Sequence, residues 1–106
     1  MFYLLIMEQQ DRRYPTIKPM LDQGRIKKLT DIFTYIPKTV LAQDIGKNLK
    51  RLNELLDRLE NFTVKDLLVI GNLCSLSRRE MLLLLDAEFD FREQNKLDQQ
   101  KNMKRL

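Results

Sequence analysis

The polar side chains packed most densely for chemistry follow Gly46 in KTVLAQDIGKNLKRLNELL, residues 38 to 56. Lys47, Asn48, Lys50, Arg51, Asn53 and Glu54 place hydrogen-bond donors and acceptors of both charges within a short stretch. Such a set can recognise a polar partner, but it supplies no imidazole base and no activated nucleophile. The whole chain has no histidine and one cysteine, Cys74, which excludes zinc fingers, disulfide scaffolds and every mechanism that relies on an imidazole. It also lacks a phosphate-cradling glycine loop, and its acids form no obvious catalytic pair. The expectation is a chain that is not an enzyme, with no cofactor, no metal and no small-molecule substrate evident.

The same charges have a plainer reading. Lys50 with Glu54 and Glu54 with Arg58 are i,i+4 pairs, and Arg51 with Glu54 is an i,i+3 pair, each adding a few tenths of a kcal/mol to a solvated helix. What separates the readings is how the segment is held. Gly46 interrupts two leucine-bearing helical runs at a cost of about 1 kcal/mol relative to alanine, so a bend is expected there. A helix that stops at Ile45 and restarts at Asn48 needs a residue accepting positive φ, which glycine does without a Cβ clash. Ala42, four residues before the glycine, lets the helices approach, and Leu52, six residues after it, points back to the same core.

The flanking elements read as helices throughout. IKPMLDQG is a helix of one to two turns, with Pro19 in its first turn and Gly24 past its end. Thr30 is the expected cap of LTDIFTYI, whose Leu29, Ile32, Phe33 and Ile36 share a face; Pro37 then interrupts it and opens PKTVLAQDI. From about Asn48 to Glu60, Leu49, Leu52, Leu55, Leu56 and Leu59 form one stripe that faces a core. Thr63 with Asp66, and Ser77 with Glu80, are capping boxes for VKDLLVIGNL and REMLLLLDAEF, with Gly71 permitting close packing and Cys74 a small buried hydrophobe. No strand alternation, hairpin turn or repeat appears. The fold class is all-α, an orthogonal bundle of about five short helices containing a helix-turn-helix.

Small residue, glycine, then apolar residue at these offsets resembles the lambda-repressor-like helix-turn-helix family of phage repressor and Cro type. The resemblance covers roughly Leu29 to Phe91 and is carried by Leu41, Ala42, Ile45, Gly46, Leu52 and Leu55. It implies that Lys38 to Ile45 lies across a phosphate backbone and that Asn48 to Leu56 enters the major groove of double-stranded DNA. The implied base-reading residues are Asn48, Leu49, Lys50, Arg51, Asn53 and Glu54: Arg and Lys for guanine, Asn for adenine, Glu for cytosine, and Leu49 for a thymine methyl. Lys27, Lys28, Lys38, Thr39, Gln43, Lys47 and Arg58 are the implied phosphate contacts. One feature departs from strong DNA binding, because Glu54, Asp57 and Glu60 offset most of the positive charge on the reading helix.

A chain of 106 residues with 43% hydrophobic and 32% charged side chains has room for one small core. Its net charge of +4 is uneven: residues 1–30 hold six basic and three acidic groups, 31–60 five and five, 61–90 three and five, and 91–106 five and two. Basic ends around a neutral middle suit a polyanion, although charged tails also serve solubility alone. The expected organisation is a flexible arm over 1–15, a helix-turn-helix domain over 16–91 and a polar basic tail over 92–106, either helical or disordered. Phe2 to Met7 is too short to span a membrane and lacks the cleavage site of a secretory signal; Met7 is an alternative start that a mass measurement would settle. With one cysteine and no membrane span, a cytoplasmic setting is expected. The five apolar residues Met81 to Leu85 go round a helix, so one face is expected to stay exposed unless a homodimer partner or the N-terminal FYLLI segment covers it; equally, packing within the chain covers everything and the protein is a monomer. The functional expectation is a small transcriptional regulator of repressor type. The rival is a protein-protein interaction module that keeps the architecture without binding DNA.

Overall fold

The computed structural model describes residues 11–104 of the backbone and the side chains of residues 11–99. Among these residues the fold is all-helical. Five α-helices run in order: α1 (Ile17–Asp22), α2 (Lys38–Asp44), α3 (Leu49–Asp57), α4 (Val64–Cys74) and α5 (Arg78–Lys104). Short 3-10 segments at Tyr14–Thr16, Leu29–Thr34 and Leu59–Asn61 join them. Leu52, Leu55, Leu56 and Leu59 are buried as the leucine stripe requires, while Leu49, at its edge, stays 39% exposed.

Local chemistry accounts for most boundaries. Asn48 caps α3 by accepting from the Arg51 N–H at 2.7 Å. Thr63 with Asp66 and Ser77 with Glu80 both close reciprocal capping boxes. As expected, Gly24 stands just past the end of α1, with φ +76°. In α4, a Cβ on Gly71 would stand 2.9 Å from the Leu76 carbonyl oxygen and 2.9 Å from Met81 Cγ. The carbonyl cannot retreat, because the Leu76 N–H is itself bonded to the Gly71 oxygen at 2.8 Å. Gly71 therefore weakens its helix but lets α5 pack against it.

Four expectations need correction. LTDIFTYI forms a 3-10 segment over Leu29–Thr34 rather than an α-helix, since its run of β-branched and aromatic residues has poor helix propensity and Pro37 bars α geometry at Ile36. Thr30 is not its cap: the Asp31 carboxylate accepts from the Lys27 and Lys28 N–H groups, while Thr30 bonds to Glu88. α3 stops at Asp57 instead of reaching Glu60, because Arg58 takes φ −126° and ψ 83°. The last helix is not short. It spans 27 residues, about 40 Å, through the sequence read as tail. REQNKLDQQKNMK contains no glycine or proline, and once Met81, Leu84 and Glu88 are packed the nucleation cost is already met, so good helix formers extend the rod into solvent.

The proposed arm also ends sooner than residue 15. Tyr14 is 1% exposed and belongs to the core with Ile17, Ile26, Ile32, Ile36, Leu41 and Met81. Residues 1–10 of the arm, with FYLLI and Met7, lie outside the described residues. No helix among the described residues is long and apolar enough to cross a membrane.

Candidate nucleic-acid interface

The corner at Gly46 is closed by two backbone bonds. Gly46 has φ +76°, its N–H donates to the Gln43 oxygen at 3.1 Å, and the Lys47 N–H donates to the Ala42 oxygen at 2.8 Å. This is the Schellman arrangement, which satisfies carbonyls that the end of α2 would otherwise leave bare. Beyond its two chain neighbours no atom lies within 4 Å of where a Cβ would stand, so glycine is favoured here by backbone conformation and not by space. Ala42 is 1% exposed at the inside of the bend, and Leu52 is fully buried beyond it.

The chain thus leaves α2, turns, and starts α3 with its apolar side anchored. Asn48, Leu49, Lys50, Arg51, Asn53 and Glu54 all stand exposed on the remaining surface. Arg51 Nη1 and Glu54 Oε2 are 3.4 Å apart with both side chains half exposed, a weak pair that a competing ligand could open. Lys50 takes part in no ion pair within 4 Å among the described residues. Farther along, Arg51, Glu54, Asp57, Arg58 and Asn61 line a shallow mixed-charge depression.

The phosphate candidates divide into two groups. Lys38, Thr39 and Gln43 are exposed on α2, Lys47 flanks the turn, and Arg58 lies just past α3, so these five lie on or beside the α2–α3 pair. Lys47 Nζ is 3.5 Å from Asp66 Oδ1, which ties the turn to the start of α4. Burial alone would raise the Asp66 carboxyl, but hydrogen bonds with Thr63 and the nearby Lys47 charge outweigh it and hold the carboxyl below its ordinary value. Lys38 Nζ hovers 5.8 Å from the centre of the Phe33 ring. Lys27 and Lys28 belong elsewhere. Lys27 lines a groove with Leu21, Ile26, Glu80, Leu83 and Leu84, none of them from α2 or α3. Lys28 is held 2.8 Å from Asp31 and 4.6 Å above the Phe91 ring.

Three groups that set the pose of this unit were not legible as site residues. Tyr14 Oη donates to Asp44 Oδ2 at 2.6 Å, fastening the N-terminal segment to the last residue of α2; burial and then the Asp44 hydrogen bond push the phenol well above its ordinary range, so it remains a donor. Arg92 Nη1 donates to the Leu56 carbonyl at the C-terminal end of α3, where a cation also favours the helix dipole. Arg92 in turn lies 3.5 Å from Glu88, which is 2% exposed and accepts from the Thr30 N–H at 2.8 Å and the Thr30 hydroxyl at 2.7 Å. The only trace of this in the sequence is the i,i+4 spacing of Glu88 and Arg92, a spacing common on solvated helices. Cys74 is fully buried and its thiol is pushed up to about 12 by desolvation, which leaves it unreactive.

Comparison with known proteins gives no match to a family model, to a curated protein or to a solved structure. The functional reading therefore rests on the geometry.

Proposed function

We propose that the chain binds double-stranded DNA in a sequence-specific manner, as a small cytoplasmic transcriptional regulator of repressor type that needs neither cofactor nor catalysis. The observation that carries this reading is the closed turn at Gly46, after which the leading polar residues of α3 stand clear of the buried leucines. In the proposed pose the first turn and outer face of α3 enter the major groove. Asn48, Lys50, Arg51, Asn53 and Glu54 meet base edges there, while Lys38, Thr39, Gln43, Lys47 and Arg58 meet phosphates. A single copy would bind weakly, because Glu54, Asp57 and Glu60 face the same polyanion. A twofold pair of copies would set two α3 helices one turn of DNA apart.

The salt dependence of binding to duplex DNA tests the reading. Log affinity should fall linearly with log salt, with a slope of about −0.9 per phosphate engaged. Lys50→Ala and Arg51→Ala should relax base preference at defined positions in a selection from random duplexes. No retention on DNA at low salt would sink the proposal, and an equal loss on every sequence would remove these two side chains from base reading.

A second reading, a protein-protein interaction module, is favoured by one feature. The depression formed by Arg51, Glu54, Asp57, Arg58 and Asn61 pairs two cations with two anions, which suits a mixed-charge protein surface better than a uniform row of phosphates.

A further inference from the structure

The solvent face of α5 carries its charges in two blocks. Met81, Leu84 and Glu88 are buried, which fixes the side of the helix that is turned to the body. At about 100° per residue, the opposite side is a stripe through Leu83, Asp86, Asp90, Glu93 and Leu97. All of these are exposed, with Leu83 at 59% and Leu97 at 52%, so the stripe faces away from the fold. The backbone stays helical through Lys104, which carries the same face on to the positions of Lys101 and Lys104.

Leu97 divides the stripe symmetrically. Asp90 and Glu93 precede it by seven and four residues, and Lys101 and Lys104 follow it by four and seven. All four positions lie within about 40° of Leu97 around the helix. Charges that merely support a solvated helix alternate in sign at i,i+3 or i,i+4 so that they can pair. Along this stripe the nearest opposite charges, Glu93 and Lys101, are two turns or about 12 Å apart, too far to pair within one helix. Neither Asp90 nor Glu93 forms an ion pair among the described residues.

We propose that the end of α5 pairs with the same segment of a second copy, antiparallel, about a twofold axis at Leu97. Leu97 then meets its own counterpart, and the acidic half of each rod lies along the basic half of the other. A parallel pair would set Asp90 against Asp90 and Lys104 against Lys104, so the charge order selects the antiparallel one. Because the stripe points away from the body, the two bodies lie on opposite sides of the paired rods and do not collide. The overlap from Asp90 to Lys104 is about 22 Å of helix around one leucine, less than a standard interface, so association is weak, on the order of 100 µM. The surface contains no residue of α2 or α3 and stands apart from the DNA reading.

Sedimentation equilibrium of the full chain without DNA, up to about 1 mM, tests this. Asp90→Lys with Glu93→Lys leaves only basic charges on the paired stretch, and Lys101→Glu with Lys104→Glu leaves only acidic ones. The parent should associate, more weakly as salt rises. Each double variant alone should associate at least tenfold more weakly, and an equimolar mixture of the two should recover the parent's affinity. The mixture separates a lost interface from a lost fold. A parent that stays monomeric at the highest concentration, double variants that associate as the parent does, or a mixture that stays apart would each overturn the proposal. Association that salt strengthens would overturn it too, since like charges would then be in contact.

Discussion

Ser75 is the residue with the clearest local cost. Among the described residues it is the non-glycine with positive φ, at 59°, where it closes the C-terminal end of α4 and lets the Leu76 N–H reach the Gly71 oxygen. An L-residue with a Cβ is destabilised in that conformation by about 1 kcal/mol, which glycine avoids. Ser75→Gly is therefore expected to raise the unfolding free energy by about 1 kcal/mol, read as a higher denaturant midpoint at unchanged slope. Glu88 is the opposite case. Its buried carboxylate answers the Thr30 N–H, the Thr30 hydroxyl and the partly exposed Arg92. Glu88→Ala should cost about 2 kcal/mol, because the N–H and hydroxyl of Thr30 lose their shared acceptor while Arg92 keeps the Leu56 carbonyl. A midpoint within error of the parent would show that the node contributes nothing to stability.

At the scale of elements, helix starts are fixed by side chains that answer orphan backbone groups, and two of those answers are carboxylates. Glu80 is held below its ordinary range first by the hydrogen bond from Lys18 and then by the Ser77 N–H. In Asp66 the capping bonds with Thr63 overcome burial to the same effect. A carboxylate whose folded pKa lies below its unfolded one adds stability that is fully present above the unfolded value and is lost as pH falls through the folded value. The starting values are 3.8 for Asp66 and 4.5 for Glu80, so the loss begins near there and continues to lower pH. Denaturant midpoints taken from pH 7 down to pH 3 should fall across that window. The fall should be shallower in Asp66→Asn and Glu80→Gln, which lack the titrating groups. Parallel curves for parent and variants would rule the two capping boxes out as a source of acid sensitivity.

At the scale of the whole molecule, the described residues form a compact helical body from which the end of α5 projects as a rod. Residues 93–99 of α5 are all exposed, and the hydrogen bond between Gln94 and Asp98 at 3.3 Å stays within the helix. Ending the chain after Lys96 should leave unfolding free energy within about 0.5 kcal/mol of the parent while lowering the far-ultraviolet helical signal. A drop of several kcal/mol would mean that the rod supports the core. The same truncation removes the basic residues Lys101, Lys104 and Arg105, so a regulator that uses its basic ends should show a shallower salt dependence on DNA without them.

The sequence by itself determined what is decided within one helical turn. Asn48, Thr63 with Asp66, and Ser77 with Glu80 each satisfy backbone groups three residues away, and Gly46 supplies the left-handed corner that ends α2. These follow from residue type and spacing, as does the burial of the leucine stripe in α3. The tertiary structure alone decided the partners of Tyr14, Thr30 and Arg92, whose bonds cross 30, 58 and 36 residues. It also decided that Lys28 lies over the Phe91 ring of α5 and Lys38 over the Phe33 ring, while Lys47 reaches Asp66. The physical reason is range: a capping bond is specified by the neighbouring residues, whereas a buried hydroxyl or guanidinium takes whichever acceptor the packing of distant helices leaves within reach.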